Sequence, residues 1–175
     1  MIDHYFEKPY WIVDILPAQV PADSPGQYPA AEQYYLREPQ ITNIRRKYAD
    51  LLIKLNCYYD VQVSCSDHVD GEGSWVNNPE PEDLARLLQA LKPFANPAVR
   101  QQRKHAPGLP AGRVGRACIL VEKEHTLAVL NADDTYMTVY NPSAGLLEML
   151  RRLAGAEGLF VWKPRKNNLP PGELV

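Results

Sequence analysis

The stretch that decides the fold is residues 117–140, which read ACILVEKEHTLAVLNADDTYMTVY. Three runs rich in apolar residues stand at 117–122, 127–131 and 136–140, separated by two polar links of four residues each. Links this short join strands that lie side by side and run in opposite directions. The stretch therefore predicts a three-stranded antiparallel meander.

One helix and one further strand are predicted to follow the meander. Ser143 is a typical N-cap residue, and Gly155 is of the residue type at which helices commonly end. The apolar face of this helix consists of Leu146, Leu147, Leu150 and Leu153. Residues 158–162 form the last predicted strand, and we expect helix 143–154 to cover the meander.

Two strands and two helices are predicted before the meander. Residues 10–16 are mostly β-branched or aromatic and lie between two prolines, which predicts the first strand. Helical spacing of apolar residues predicts a helix over 41–55 with Arg45 on its polar face, and alternation predicts a strand over 57–65. Asn78 is the predicted N-cap of the second helix. The apolar stripe of that helix consists of Leu84, Leu87, Leu88 and Leu91.

Three segments depart from this regular pattern. They are a proline-rich arm at 17–39, a basic connection rich in proline and glycine at 93–116, and a polar tail at 164–175. We expect the arm to be a long ordered loop with one helical turn near 30–35. Because we find no internal repeat and each half is too short for its own core, residues 1–175 are predicted to form a single domain.

The predicted fold class is therefore α+β, in the order β-α-β-α-β-β-β-α-β, with the C-terminal meander packed under helices. The chain carries 19 basic and 21 acidic side chains, a balance that draws it to neither nucleic acid nor anionic lipid as a whole. No apolar run approaches the length that spans a bilayer, and the N-terminus lacks a signal-like pattern, so we expect no membrane partner.

The cysteine content indicates a reducing compartment. Cys57, Cys65 and Cys118 are an odd number in a chain long enough to fold without disulfides. We expect all three to be thiols, and we expect the protein to be cytoplasmic. A cysteine nucleophile is not indicated, because no histidine is selected as its partner.

The sequence predicts neither a metal site nor a cofactor. Residues 65–73 (CSDHVDGEG) crowd ligand-type side chains into one loop, but they fail the calcium-loop pattern at its charged positions. Cys65 and His68 have spacing usable for zinc, yet no second pair completes the ligand set. Glycine-rich phosphate and dinucleotide motifs, hydrolase elbows and metalloprotease motifs are also missing from the sequence.

Charge is unevenly distributed along the chain. Residues 55–85 contain seven acids and no lysine or arginine, whereas 93–116 contain five bases and no acid. The two segments either face each other or sit in solvent, or else the basic connection contacts an acidic protein or a phosphate-bearing partner. The candidate binding residues are Arg100, Arg103, Lys104, Arg113 and Arg116.

Tyrosine is concentrated in the N-terminal third of the chain. Eight of the ten tyrosines precede residue 60, namely Tyr5, Tyr10, Tyr28, Tyr34, Tyr35, Tyr48, Tyr58 and Tyr59. Such rings either attach the proline-rich arm to the sheet or serve a protein interface. On a strand, at least one tyrosine of the pair at 58 and 59 would lie on the outer face.

These features favour a non-enzymatic binding or regulatory protein that recognises another macromolecule through its tyrosine-rich arm and charged loops. Two alternatives stay open. One is an enzyme whose site is assembled from distant residues, which a deep pocket with convergent polar groups would indicate. The other is a weak nucleic-acid binder that uses residues 100–116, which steep salt dependence would indicate.

Overall fold

The computed structural model describes residues 2–38, 41–66, 75–89, 91 and 115–165. Within these ranges the chain forms one α+β domain with four α-helices and one seven-stranded sheet. The strands are β1 (Tyr10–Asp14), β2 (Gln62–Ser66), β3 (Val76–Asn77), β4 (Arg116–Val121), β5 (Thr126–Asn131), β6 (Met137–Tyr140) and β7 (Phe160–Trp162). The helices are α1 (Tyr28–Arg37), α2 (Ile44–Asn56), α3 (Pro81–Gln89) and α4 (Ala144–Ala156).

The predicted meander is confirmed as the middle of the sheet. The strand order is β3-β2-β4-β5-β6-β1-β7, and every neighbouring pair is antiparallel. Val129 at the centre of β5 lies opposite Cys118 on one side and Thr138 on the other. The N-terminal strand β1 lies between β6 and β7, so the first and last strands of the chain pair with each other.

The helices cover one face of the sheet and share one core with it. Leucines of α2, α3 and α4 are buried together with alternate residues of the central strands. Ser143 caps α4 as predicted, because its hydroxyl accepts a hydrogen bond from the Leu146 amide at 3.2 Å. Leu146 and Leu150 join the same core cluster as Leu130 and Met137, and the elements that α4 contacts most are α2 and β7.

The opposite face of the sheet carries a smaller cluster. Leu127 and Val129 alternate with the residues that face the helices, and they are buried with Cys118 and Tyr5. Tyr5 comes from a short 3-10 helix, Asp3–Tyr5, near the N-terminus. The N-terminal segment therefore lies against the face of the sheet that the helices leave uncovered.

The arm differs from its prediction, because it contains a full helix and not a single turn. Helix α1 spans Tyr28–Arg37, with Pro29 in its first turn. Proline is tolerated there because the first helical N–H groups have no partner inside the helix. The density of prolines in the arm therefore does not prevent a helix of ten residues.

Three local boundaries also differ from the sequence prediction. Residues 57–61 form a turn after α2, so β2 begins five residues later than expected, at Gln62. The side-chain oxygen of Asn78 accepts a hydrogen bond from the Val61 amide at 2.9 Å and does not cap α3. Helix α4 ends beside Gly158, which has a φ of 68°, and not at Gly155.

Among the described residues, no helix is both long enough and apolar enough to cross a membrane. All three cysteines are thiols, with Cys57 exposed, Cys65 half-buried and Cys118 buried. Residues 67–74, which include most of the loop at 65–73, lie outside the described residues, as do most of the basic connection at 93–116 and most of the polar tail at 164–175.

Candidate functional site

Only one of the five predicted basic binding residues lies in the described part of the chain. Arg116 is the first residue of β4, and its Nε donates a hydrogen bond to Asn131 Oδ1 on β5 at 3.0 Å. The remaining four, Arg100, Arg103, Lys104 and Arg113, lie outside the described residues. Arg116 is therefore tied to the sheet.

A cluster of ionisable and phenolic side chains lies where β1 ends beside the turn between β5 and β6. We call it the Asp14 cluster, and its members are Asp14, Tyr28, Glu32, Arg45, Tyr48, Asp133 and Asp134. They come from β1, α1, α2 and the turn that follows β5. Residues far apart in the sequence thus meet at one end of the sheet.

Asp14 is the most unusual member, because its carboxyl group is buried. It is the last residue of β1 and is only 6% exposed. Burial, together with the nearby charge of Glu32, raises the pKa of Asp14 to about 6, although hydrogen bonds from the Ile15 and Leu16 amides oppose the shift. The Ile15 amide donates to Asp14 Oδ1 at 2.7 Å. The side chain therefore changes its protonation close to neutral pH.

Helix α1 contributes a hydrogen-bonded pair to the cluster. The Tyr28 hydroxyl donates to Glu32 Oε1 at 3.1 Å, one helical turn along, and both side chains are half-buried. Burial, followed by the negative charge of Glu32, raises the pKa of Tyr28 above its ordinary value. The phenol therefore stays protonated and acts as a donor.

Arg45 is buried although the sequence pattern placed it on the polar face of its helix. It is only 7% exposed, and its Nη2 donates to the Ala132 carbonyl in the turn after β5 at 2.6 Å. Burial lowers the pKa of Arg45, while Asp134 and Asp133 act in the opposite direction. Its Nε is buried, and no described residue accepts a hydrogen bond from it.

The Tyr48 hydroxyl connects the end of β1 with the turn before β6. Its hydroxyl lies 2.7 Å from the Thr135 carbonyl and 3.0 Å from the Val13 carbonyl. Complete burial raises the pKa of Tyr48 well above its ordinary value, so the hydroxyl keeps its proton. One phenol therefore serves two backbone acceptors of β1 and of the turn before β6.

Replacing Tyr48 with phenylalanine is expected to lower the free energy of unfolding by about 1–2 kcal/mol. The ring would still fill the core, but the buried hydroxyl proton shared between the Val13 and Thr135 carbonyls would be lost. Urea unfolding of both proteins measures the difference. Tyr58→Phe is the matched control, because Tyr58 is 63% exposed, and its stability should change by less than about 0.5 kcal/mol. Equal stability of Tyr48→Phe and the parent chain would contradict this role.

The chemistry available to the Asp14 cluster is proton exchange and hydrogen bonding. Asp14 is a carboxyl group with a pKa of about 6, and Tyr28 and Tyr48 are neutral donors close to it. In the described ranges, no group of three or more histidine, cysteine or acidic side chains is arranged to hold a metal ion. The cluster suits either acid–base chemistry or a change of conformation coupled to a proton.

A separate open cleft of about 390 Å³ lies at the C-terminal end of α2. Its lining residues are Asn56, Cys57, Tyr58, Tyr59, Asp60, Val121, Lys123 and Glu124. Asp60 and Lys123 form an ion pair across it, and that contact lowers the pKa of Asp60. The Cys57 thiol donates to the Ile53 carbonyl at 3.5 Å. The cleft is polar, and most of its charged groups are already paired.

The eight tyrosines before residue 60 differ in how far they are exposed. Tyr5 and Tyr48 are buried, whereas Tyr34 is 52% and Tyr58 is 63% exposed. The half-buried tyrosines of this group are Tyr10, Tyr28, Tyr35 and Tyr59. Tyr34 and Tyr35 contact each other edge to face, with ring centroids 5.8 Å apart. Of the arm tyrosines, Tyr35 packs against the main core, whereas Tyr34 is exposed.

The sequence analysis did not find the Asp14 cluster, although two features of the sequence point to it. Asp14 interrupts an apolar run, YWIVDIL at 10–16, and Arg45 directly follows Ile44 at the inward edge of α2. Neither signal shows that the two side chains approach the same turn after β5. No family model, no curated protein and no solved structure matches this chain.

Proposed function

We propose that this chain is a non-enzymatic binding or regulatory protein that recognises another macromolecule through its tyrosine-rich N-terminal arm and its charged loops. The observation that carries the proposal is Tyr34, which is 52% exposed on a helix that has no buried side chain. A tyrosine presents an apolar ring and a polar tip at a small cost in side-chain entropy. Such rings are enriched at protein interfaces.

The surroundings of Tyr34 support an acidic or phosphate-bearing partner. Ala30, Tyr34 and Arg37 are exposed and recur at the spacing of one helical face. Arg37 Nη2 donates a hydrogen bond to Gln33 Oε1 at 2.8 Å, one helical turn earlier on the same helix. Ile41, just after this helix, is 70% exposed. An aromatic and apolar surface with a positioned arginine suits a partner that carries carboxylate or phosphate groups.

Site-specific photo-cross-linking tests this proposal. A photoreactive phenylalanine analogue replaces Tyr34 in one sample and exposed Arg151 of α4 in the control sample, and both are irradiated in native lysate. We expect one protein to be captured reproducibly through position 34 and not through position 151. Capture that is equal at the two positions would contradict recognition by α1. Capture of RNA or DNA, lost at higher salt, would favour the nucleic-acid alternative through residues 100–116.

A second candidate function, an enzyme assembled from distant residues, is favoured by Asp14. A buried carboxyl group with a pKa of about 6 near two phenols is the kind of group that general acid–base catalysis uses. Finding a small-molecule ligand whose binding shifts the NMR signals of Asp14 and Tyr28 would support this candidate. The three thiols support the cytoplasmic location that we propose for either function.

A further inference from the structure

The open cleft at the C-terminal end of α2 has the size of a small-molecule site. Its volume of about 390 Å³ lies within the range of roughly 300–1,000 Å³ that such sites occupy. The lining residues come from two segments, 56–60 at the end of α2 and 121–124 at the end of β4. None of the described lining residues belongs to α1 or to the Asp14 cluster.

The cleft carries an excess of negative charge. Among the described residues that line it, Asp60 and Glu124 are acidic and Lys123 is basic. Helix α2 ends at Asn56, another lining residue, so the negative end of the helix dipole also lies there. These charges favour a cationic ligand over a neutral or anionic ligand of the same size.

The Asp60 carboxylate already binds an ammonium group in the folded chain. Lys123 Nζ pairs with Asp60 Oδ2, and Asn78 Nδ2 donates to Asp60 Oδ1 at 3.4 Å. Asn78 is itself fixed to Val61, because its amide donates to the Val61 carbonyl at 2.7 Å and its side-chain oxygen accepts from the Val61 amide at 2.9 Å. The carboxylate is therefore oriented by a neighbour that is held in place.

Lys123 can leave this carboxylate at little cost. The Lys123 side chain is 81% exposed, and the Asp60 side chain is 62% exposed. Ion pairs this open to water are weak, because both ions are well hydrated when they separate. The ammonium group of a ligand can therefore replace that of Lys123, and the lysine then returns to solvent.

Two tyrosines that precede Asp60 supply a surface for the rest of a ligand. Tyr59 is half-buried and packs against the main core, whereas Tyr58 is 63% exposed. Tyr59 is therefore fixed in the fold, and the ring of Tyr58 is accessible from solvent. Aromatic rings attract ammonium groups over their faces and pack against other aromatic rings.

We propose that this cleft binds a small organic cation in which a short chain joins an ammonium group to an aromatic ring. The ammonium group binds Asp60 in place of Lys123, and the ring packs against Tyr58 and Tyr59. The inference goes beyond the macromolecular partner proposed above, because the ligand is a small molecule and the described lining residues lie outside α1.

NMR titration of the whole chain with phenethylamine tests the site. We expect the amine to shift the amide signals of residues 56–60 and 121–124, with a dissociation constant in the millimolar range or below. Phenethyl alcohol is the neutral control, because it keeps the ring and the chain but lacks the charge. It should bind at least about 5-fold more weakly than the amine.

Two substitutions in the cleft should change the affinity for phenethylamine in opposite directions. Asp60→Asn removes the charge that binds the ammonium group and should weaken binding at least about 5-fold. Lys123→Ala removes the competing ammonium group and should strengthen binding about 2-fold or more. Both positions are exposed, so neither change should disturb the fold. Glu148→Gln, an exposed change on α4, should keep the parent affinity.

Three results would overturn the proposal. They are an amine that shifts none of the cleft amides, equal binding of phenethyl alcohol, and Asp60→Asn and Lys123→Ala changing the affinity in the same direction. Each of these results would leave the cross-linking test at Tyr34 unaffected, because that test requires no small molecule. Equal capture in the cross-linking test would likewise leave the amine titration unaffected, so the two failures are distinguishable.

Discussion

Replacing Leu130 with alanine is expected to lower the free energy of unfolding by about 2–5 kcal/mol. Leu130 lies on β5, is fully buried and pairs with Ala117 and Met137 on the neighbouring strands. Its side chain belongs to the same core cluster as leucines of α2, α3 and α4, so its removal leaves a cavity in the core that these elements share. Urea unfolding followed by circular dichroism measures the loss.

The matched control for Leu130→Ala is Ile41→Ala, which also removes a large aliphatic side chain. Ile41 is 70% exposed, so its replacement should change the stability by less than about 0.5 kcal/mol. If both variants lose the same stability, Leu130 does not lie in the main core. A loss confined to Leu130→Ala supports the placement of the meander under the helices.

Replacing Asp14 with asparagine is expected to stabilise the protein near neutral pH by up to about 3 kcal/mol. The folded-state pKa of about 6 lies above the ordinary 3.8, so the folded state binds a proton more tightly than the unfolded state. This contribution to stability is fully present below the unfolded pKa and is lost as pH rises through about 6. The parent protein should therefore gain stability on acidification from about pH 7 to pH 4 relative to Asp14→Asn.

Urea unfolding at several pH values across this window measures the difference between the two proteins. The difference should be largest near pH 7 and should vanish near pH 4, where Asp14 is neutral in the folded protein. Glu148→Gln removes an exposed acid from α4, and its free energy of unfolding should change with pH in the same way as that of the parent protein. If the free energy of unfolding changes with pH in the same way in Asp14→Asn and in the parent protein, Asp14 has no unusual pKa.

The sequence by itself determined the elements whose contacts are local. Apolar runs separated by four-residue links specified the β4-β5-β6 meander, because strands joined by such links have no other close neighbour to pair with. Leucine spacing located the inward faces of α3 and α4, and Ser143 located the start of α4. In each case the residues that form the sequence pattern lie within a few positions of the structural feature that the pattern predicts.

Only the tertiary structure decided where distant segments meet. The pattern at 10–16 predicts a strand, but its insertion between β6 and β7 depends on pairing across more than a hundred residues. Arg45 is buried because the Ala132 carbonyl accepts its hydrogen bond, and Asp14 is buried where β1 ends against the cluster. Periodicity reports which side chains are apolar, whereas the burial of a charged side chain depends on what the folded chain places around it.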